Sequence, residues 1–353
     1  MMFTGFLFTL SFLLSLAQCS FLNGTQDRLD GKKWHAVHLL RVYTSSDVDT
    51  LIDILPQMAD LGINVIILEV DYNFKYESHS ELILQSEPIT RKAAAKLVDS
   101  CTQNGITLIP LFQCLGHQSW AQETFPLLTQ YPEFDLTPGA YPDNKGIYCR
   151  EWDPLNPEVN KIVFELFDEL IEAFDARIFH VGMDEVFLLG DEKSPSTKGM
   201  DPAKLFAKAV NDIYGHLVKE RGVKMLMWAD RLIDGQEYDF GEWQSSYNGT
   251  ARAIDMIPKD IIMSPWHYEA RPSYPSIPMF IAKGFDVLPA SYLDTSAVKS
   301  LIDYSYEFAG NDKMLGHMFT TWSVHTIDSL LSYEPIIVGM QTINNLETEI
   351  NLD

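Results

Sequence analysis

The chain repeats one alternation along most of its length: a short apolar run, a polar loop and a segment with helical periodicity. Eight apolar runs carry this pattern, at 36–41, 63–70, 106–112, 177–183, 223–229, 260–266, 285–291 and 314–321. Helical periodicity falls at 47–61, 90–104, 157–174, 201–221, 275–283, 295–309 and 328–346, and the stretch 233–258 is irregular. Strands that are apolar along their whole length predict a parallel sheet covered by helices. Eight such units predict an α/β fold of the (β/α)8 TIM-barrel type in a single domain.

An open, doubly wound sheet is the alternative fold, and it would carry a glycine-rich nucleotide-binding turn after its first strand. The first apolar run ends instead in Leu40-Arg41-Val42-Tyr43, without such a turn. The longest connection, 113–156, is rich in Pro, Tyr and Phe. Loops of that length in a compact domain are usually functional.

The N-terminal sequence predicts where the protein is targeted. Residues 1–20 are almost wholly apolar from Phe3 to Ala17 and indicate a secretory signal peptide, followed by a lead-in at 21–33 and the barrel at 34–353. No Lys or Arg precedes Phe3, so an uncleaved anchor is a second interpretation, and a lipoprotein box ending at Cys19 is a third. We expect a secreted or lumenal protein whose mature chain does not span a membrane.

Charge and cysteine content narrow the partners and cofactors. With 26 basic and 49 acidic residues the formal charge is -23, which repels nucleic acid and anionic membranes. Cys101, Cys114 and Cys149 are an odd number and lack metal-ligand spacing, so at most one disulfide is expected.

The carboxyl ends of the eight predicted strands should meet at one rim, where barrels of this kind place their sites. Tryptophan, carboxylates and one arginine concentrate there. A neutral sugar needs this combination, because aromatic faces cover its apolar ring faces and charged groups bond its hydroxyls. The rim positions are Arg41, Glu69, Asp71, Gln113, His117, Asp184, Glu185, Trp228, Asp230, Trp266, His267, Tyr292, Asp294 and Trp322.

The fourth run ends on two neighbouring carboxylates, Asp184 and Glu185. A buried strand seldom ends in a charged pair unless the pair faces a cleft, although an acidic helix N-cap is the alternative. The stretch His180-Val181-Gly182-Met183-Asp184-Glu185 resembles the His-x-Gly-x-Asp-Glu signature of family 20 glycoside hydrolases, the exo-β-N-acetylhexosaminidases. Within that family it is most similar to the compact hexosaminidase D-like branch.

The adjacency of the two carboxylates constrains mechanism. Two-carboxylate glycosidases hold their acids on opposite faces of the sugar, whereas side chains of consecutive residues diverge from one short segment of backbone. The resemblance implies substrate assistance, in which the 2-acetamido oxygen of the sugar attacks the anomeric carbon. Glu185 would be the general acid and base, and Asp184 would orient the acetamido group.

The resemblance extends from about Trp34 to Trp322 and implies roles for further residues. It departs from the family pattern in lacking a small domain before the barrel, in Met183 where Gly is more common, and in Ser323-Val324 after the last Trp. The implied substrate-binding residues are Arg41 on the sugar hydroxyls, His117 beside the catalytic pair, Trp228, Trp266 and Trp322 around the acetamido methyl, Tyr292 on its carbonyl and Asp294 on outer hydroxyls.

Three alternative interpretations of the function remain open. A metal barrel could use His35, His38 and His180, but the first two point to opposite faces of one strand, so neither a metal nor another cofactor is expected. A non-catalytic lectin would bind the same sugars, and a two-carboxylate retaining glycosidase would need Glu69 or Asp230 opposite the acid. The sequence favours hydrolysis of terminal β-linked N-acetylglucosamine or N-acetylgalactosamine from a glycan or glycoconjugate.

Overall fold

The computed structural model describes residues 32–350. Parallel strands at eight positions form a barrel, and each position matches one of the predicted apolar runs. The strands are β1 (Trp34–Leu39), β2 (Val65–Glu69), β3 (Thr107–Cys114), β4 (Ile178–Gly182), β5 (Lys224–Trp228), β6 (Ile262–Ser264), β7 in two segments (Asp286–Val287 and Ala290–Ser291) and β8 (Gly316–Thr320).

The broken strand β7 closes the ring. Its first segment pairs with β6 and its second pairs with β8, which in turn pairs with β1. Backbone bonds continue through the break, from Leu288 N to Met263 O at 2.9 Å and from Met318 N to Pro289 O at 2.9 Å. The predicted (β/α)8 fold is therefore confirmed.

Helices cover the outside of the barrel, and five of the seven covering helices begin at a polar cap. Thr44 caps the first helix in a capping box with Asp47, and Asp201 caps the fourth. The stretch 233–258 between β5 and β6, which was predicted to be irregular, contains only short helical turns, Gly235–Tyr238 and Thr250–Asp255. The covering helices are α1 (Ser45–Asp60), α2 (Arg91–Gln103), α3 (Pro157–Ala173), α4 (Pro202–Tyr214), α5 (Ser276–Ala282), α6 (Thr295–Tyr306) and α7 (Glu334–Ile350).

Alternation along the strands divides the core into two layers. On β1, Val37 packs in the layer between strands and helices, whereas Ala36 packs inside the barrel. His35 bonds outward to Glu347 of α7 at 3.0 Å, and His38 points inward to Glu69 at 3.0 Å, so the two imidazoles lie on opposite faces as expected. His180 is fully buried, with its ring 4.7 Å from the ring of Trp228. Its predicted place inside the barrel is confirmed.

The N-terminal signal peptide and the export of the protein stay predictions, because residues 1–31 lie outside the described part of the chain. Among residues 32–350, no helix has the length and hydropathy needed to cross a bilayer. Cys101, Cys114 and Cys149 are buried and free, so they form no disulfide with one another.

Candidate active site

A cavity of about 750 Å³ opens at the carboxyl ends of the strands. Its size falls within the range of about 300–1,000 Å³ typical of small-molecule sites. Seven of the nine predicted site residues line it: Arg41, His117, Asp184, Glu185, Trp228, Trp266 and Trp322. These seven side chains thus come together at one cavity, and their roles in binding and catalysis stay predictions.

The backbone that carries the carboxylate pair is held in an unusual conformation. Gly182, Met183 and Glu185 have φ values of 63°, 77° and 51°, in the left-handed region that favours glycine. A Cβ on Gly182 would lie 1.7 Å from Oε1 of Gln113 and 3.0 Å from its Cα, so any other residue at the end of β4 would displace Gln113 as well as adopt a strained backbone. Met183 occupies a left-handed position, which gives a physical reason for the glycine more common there in the family. Such backbone persists only where its surroundings hold it in place.

Three side chains from separate segments supply that hold, and two of them, Asp230 and Glu151, are fully buried. Asp230, after β5, accepts the backbone N–H of Glu185 at 2.9 Å. Glu151 accepts the N–H groups of Phe187 and Leu188 through one oxygen, at 2.6 and 2.8 Å. Asn248 donates its amide N–H to the carbonyl of Val186 at 2.9 Å. Residues 185–188 are thus anchored from three directions, which fixes where both carboxylates point.

Asn248 also belongs to the sequon Asn248-Gly249-Thr250. Its amide oxygen accepts bonds from the hydroxyls of Ser246 and Thr250, both at 3.0 Å. Both ends of the amide are therefore engaged within the folded protein.

His117 links the two carboxylates electrostatically. Its Nε2 lies 3.2 Å from Asp184 Oδ2 and 3.3 Å from Glu185 Oε2. Burial alone would lower the pKa of His117, but the carboxylate of Asp184 and the contact with Glu185 hold that pKa well above its usual range. Burial acts in the opposite sense on Asp184, and the charge of His117 outweighs it, so the pKa of Asp184 is lowered. Asp184 is therefore a carboxylate beside an imidazolium.

A second acidic pair, Glu69 and Asp71, also lines the cavity wall, at the end of β2. Burial, reinforced by the charge of Asp184, raises the pKa of Glu69 to about 7. Burial also raises the pKa of Asp71, with Glu69 adding to the effect. The bonded His38 has its pKa lowered to about 3 by burial. Below neutral pH the Glu69–His38 contact is thus a hydrogen bond between uncharged groups, not an ion pair.

Aromatic side chains close the bottom of the cavity. Trp228 is 1% exposed and lies 6.1 Å, ring to ring, from Trp322, while Trp266 lies 4.8 Å from Tyr268. The hydroxyl of Tyr268 accepts the indole N–H of Trp322 at 2.8 Å, which leaves its own proton available to a ligand. The buried polar atoms of the wall without a hydrogen-bond partner among residues 32–350 include Asp184 Oδ1 and Trp228 Nε1. Buried polar atoms of this kind favour a polar ligand.

Two predicted site residues do not line the cavity. Asp294 is exposed and caps α6, where its carboxylate accepts the N–H groups of Ser296 at 2.7 Å and Ala297 at 3.1 Å. Tyr292 stands behind Tyr268, with a ring separation of 5.2 Å. The family-like Tyr-Leu-Asp element thus ends in a helix cap here, and the tyrosine at the cavity wall is Tyr268.

The cavity residues that sequence reasoning missed include the aromatic residues Trp120, Tyr148 and Tyr268. Tyr268 follows Trp266 by two positions, so its place beside a strand end was an available signal. Trp120 and Tyr148 belong to the long connection 113–156, which was predicted to be functional without naming either of these two residues. Their exposed aromatic character was the further clue.

One group of potential metal ligands exists in the described chain. It consists of His117, Asp184 and Glu185, whose ligand atoms lie within 4.8 Å of one another. The histidines of the metal-barrel alternative do not join it, since His35 bonds outside the barrel to Gly62 and Glu347. The expectation of metal-free chemistry stays a prediction.

A barrel with a carboxylate pair at an aromatic-walled cavity is the architecture of a glycoside hydrolase. Residues 75–343 match the catalytic domain of glycosyl hydrolase family 20. The chain therefore belongs to glycosyl hydrolase family 20, as the strand-end motif indicated.

Relatives agree with this assignment. Hexosaminidase D of Bos taurus is 27% identical over 210 residues, covering 56% of each chain. The lacto-N-biosidase of Bifidobacterium bifidum is 28% identical over 193 residues, which are 51% of this chain and 16% of that protein. This chain thus spans little more than half of the first relative and a small part of the second. The Flavobacterium johnsoniae chitobiase structure superposes with a TM-score of 0.62 at 20% identity, covering 90% of this chain and 50% of that one, and shows the same fold.

Proposed function

We propose that the protein is an exo-β-N-acetylhexosaminidase that removes terminal β-linked N-acetylglucosamine or N-acetylgalactosamine with retention of configuration. The observation that carries the proposal is the carboxylate pair, Asp184 and Glu185, beside an aromatic pocket with unpaired polar atoms on its wall. Family membership supports the same activity.

The pocket suits a 2-acetamido group in particular. The aromatic faces of Trp228, Trp266 and Trp322 would surround the methyl group. Asp184 Oδ1 has the free lone pairs that the acetamido N–H needs, and the hydroxyl of Tyr268 can donate to the carbonyl oxygen. Arg41 reaches the cavity from the end of β1, where it would bind ring hydroxyls.

The chemistry follows from this placement. Glu185 protonates the leaving oxygen while the acetamido carbonyl oxygen attacks the anomeric carbon, so the glycosidic bond breaks as the oxazolinium ring closes. The positive charge that develops beside the acetamido nitrogen faces Asp184, which is ionised because His117 lowers its pKa. Glu185, now a carboxylate, takes a proton from water, and that water opens the ring. Two inversions give overall retention.

The two-carboxylate alternative is less well supported. Asp230 is fully buried, and one of its oxygens already accepts Glu185 N and, at 2.6 Å, the guanidinium of Arg231. Glu69 lines the cavity, but its pKa of about 7 keeps much of it protonated at neutral pH, and a protonated carboxyl is a poor nucleophile. The lectin alternative would not need an acid beside an oriented carboxylate.

One set of assays tests the activity and its mechanism. We expect hydrolysis of 4-nitrophenyl β-N-acetylglucosaminide or β-N-acetylgalactosaminide and poor turnover of the matching β-glucoside, which lacks the nucleophile. A thiazoline analogue of the bicyclic intermediate should bind far more tightly than the free sugar. Asp184→Asn should weaken binding of the thiazoline analogue more than it weakens binding of the free sugar. An inverted product, or a fluorosugar ester trapped on a carboxylate, would overturn substrate assistance.

We also propose that the protein is exported. The apolar stretch Phe3 to Ala17 at the N-terminus supports this. Expression of the full chain in a secreting host should release protein whose mature N-terminus lies near residue 20. Retention of an intact N-terminus in the cytosol would contradict the proposal.

A further inference from the structure

A second cavity, of about 440 Å³, opens at the same rim of the barrel as the first. The loop after β8 and the start of α7 supply most of its lining, from Ser323 to Pro335, and Leu293 after β7 supplies the rest. A sugar residue occupies roughly 200 Å³ at the packing density of organic crystals, so this cavity has room for one. The proposed catalytic chemistry does not use it.

The second cavity borders the first across Trp322. Trp322 lines the first cavity and the next residue, Ser323, lines the second. Consecutive Cα atoms lie only about 3.8 Å apart, so the two cavities share a thin wall. Tyr292 and Leu293 repeat this arrangement on β7, because Tyr292 packs against Tyr268 of the first cavity and Leu293 lines the second.

The first cavity is poorly closed on the side that faces the second. Among residues 32–350, β7 and the loop that follows it contribute no lining residue to the first cavity, and the segment after β8 contributes only Trp322. Asp294 could have supplied a carboxylate there, but it caps α6 instead. No charged side chain from these two segments therefore blocks a group that projects from the bound sugar toward the second cavity.

The position of the second cavity in the barrel relates it to the sugar that is released, not to the leaving group. Glu185, the proposed acid, follows β4, so the leaving group lies on that side of the barrel. Strands β4 and β8 are four positions apart in a ring of eight and therefore face each other across the barrel. The second cavity thus lies beside the end of the amino sugar that is remote from the bond to be cleaved.

Hydroxyl groups make up much of the polar lining of the second cavity. Ser329 donates to the carbonyl of Thr326 at 2.6 Å and Ser332 donates to the carbonyl of Ser329 at 3.2 Å, so both hydroxyl oxygens remain available as acceptors. Thr326 precedes the turn Ile327–Ser332, but its side chain does not cap that turn. Leu293, which is 54% exposed, adds an apolar surface. Hydroxyls beside an apolar surface suit a sugar, which has polar edges and apolar ring faces.

The charge of the lining favours a neutral ligand. Glu334 is the acidic residue of the second cavity, and its described lining contains neither lysine nor arginine to hold an anion. We propose that the second cavity binds a neutral sugar attached to the far end of the amino sugar, so that the protein releases a disaccharide. The glycosidic bond to the leaving group is hydrolysed as before, and the bond within the released disaccharide stays intact. This inference rests on the proposed glycosidase function and extends its substrates to amino sugars that are not terminal.

The test compares substituted and unsubstituted substrates. The unsubstituted one is 4-nitrophenyl β-N-acetylglucosaminide, and the substituted ones carry β-galactose at O3, O4 or O6 of its sugar. Galactose lacks a 2-acetamido group, so substrate assistance cannot remove it first. We expect the wild type to release 4-nitrophenol and an intact disaccharide, identified by mass spectrometry, from at least one substituted substrate. Cleavage of the unsubstituted substrate alone would overturn the inference while the proposed function stands.

Variants assign the effect to the second cavity. Thr326→Trp places a large side chain in the cavity at an exposed position, so thermal unfolding should match the wild type. We expect it to lower the ratio of kcat/KM for the substituted substrate to kcat/KM for the unsubstituted one about tenfold, equivalent to about 1.4 kcal/mol. Thr326→Ser keeps the hydroxyl and the space, and should keep the ratio. Thr348→Trp is the matched control, because this exposed threonine lies about 20 Å along α7 from Glu334.

The remaining outcomes also decide. An unchanged ratio in Thr326→Trp would overturn the second cavity as the binding site. If the wild type cleaves no substrate at all, calorimetric titration with the methyl β-glycosides of the three disaccharides replaces the kinetic assay. Weaker binding to Thr326→Trp than to Thr348→Trp would then support the second cavity even though the hydrolase proposal fails. Equal binding to the two variants, or no binding to the wild type, would overturn the inference.

Discussion

Glu69 makes the stability of the fold depend on pH in a direction opposite to that of most acidic residues. The residue is only 8% exposed, and burial raises the pKa of its carboxyl from 4.5 to about 7. Because the folded pKa is the higher one, the folded protein keeps a proton that the unfolded chain releases above pH 4.5. The stabilisation from Glu69 is complete below pH 4.5 and is lost as pH rises to about 7. At 1.36 kcal/mol per pKa unit, the loss is roughly 3 kcal/mol.

Glu69→Gln isolates this contribution from those of other buried acids. Its amide resembles the protonated carboxyl and can still donate to His38. Urea unfolding at pH 5 and at pH 8 would measure the free energy of unfolding of both proteins. The wild type should lose roughly 3 kcal/mol more than Glu69→Gln between these pH values. Parallel pH profiles for the two proteins would refute the reasoning and show that Glu69 is ionised in the fold.

Three further outcomes are expected. Glu185→Gln should lower turnover of an unactivated disaccharide by about 10²–10⁴-fold while sugar binding persists, and near wild-type turnover in a steady-state assay would contradict its role as acid. Gly182→Ala should destabilise the protein and abolish activity, because its Cβ would collide with Gln113. Gly199→Ala is the control, since Gly199 is also at positive φ but has open space around an added Cβ. This variant should lose only about 1–2 kcal/mol of the free energy of unfolding in urea and should keep its kcat. Prolonged EDTA treatment should leave activity intact, since protons and not a Lewis acid drive the proposed chemistry; a loss restored by Zn²⁺ would instead assign a metal to the group around His117.

The barrel was predictable because its signal is local. Strands buried on both faces need unbroken apolar runs, and helices need one apolar stripe. Each element can therefore be identified from a window of about ten residues. The break in β7 at Leu288-Pro289 was not predicted, although Pro289 within the run 285–291 was an available signal, because proline cannot donate a backbone hydrogen bond to a neighbouring strand. Asp294 shows how two local signals can compete: the same residue fits a family motif and a helix N-cap, and the cap is what the structure contains.

The cavity wall was harder to predict where it depends on contacts distant in sequence. Tyr148 and Trp243 lie in different loops, and their rings meet only because both loops rise from the same rim. Likewise Asp230 was considered as a second catalytic acid, whereas the fold uses it to hold the backbone of Glu185. Strand order determines such pairings, and no pattern within a single segment encodes them.

Asn248 has a practical consequence for producing this protein. Its amide nitrogen supports the carbonyl of Val186, one residue after the proposed acid, yet Asn248-Gly249-Thr250 is also a glycosylation sequence. A eukaryotic expression host that attaches a sugar chain there during synthesis would occupy the nitrogen and force bulk into a packed loop. With the second such sequence, Asn23-Gly24-Thr25, removed by Asn23→Gln, material from such a host should divide into an unglycosylated, active fraction and a glycosylated, impaired one, separable on a lectin column. A bacterial host would yield only the unglycosylated, active fraction. The specific activity of a preparation would therefore depend on the host in which the protein was produced.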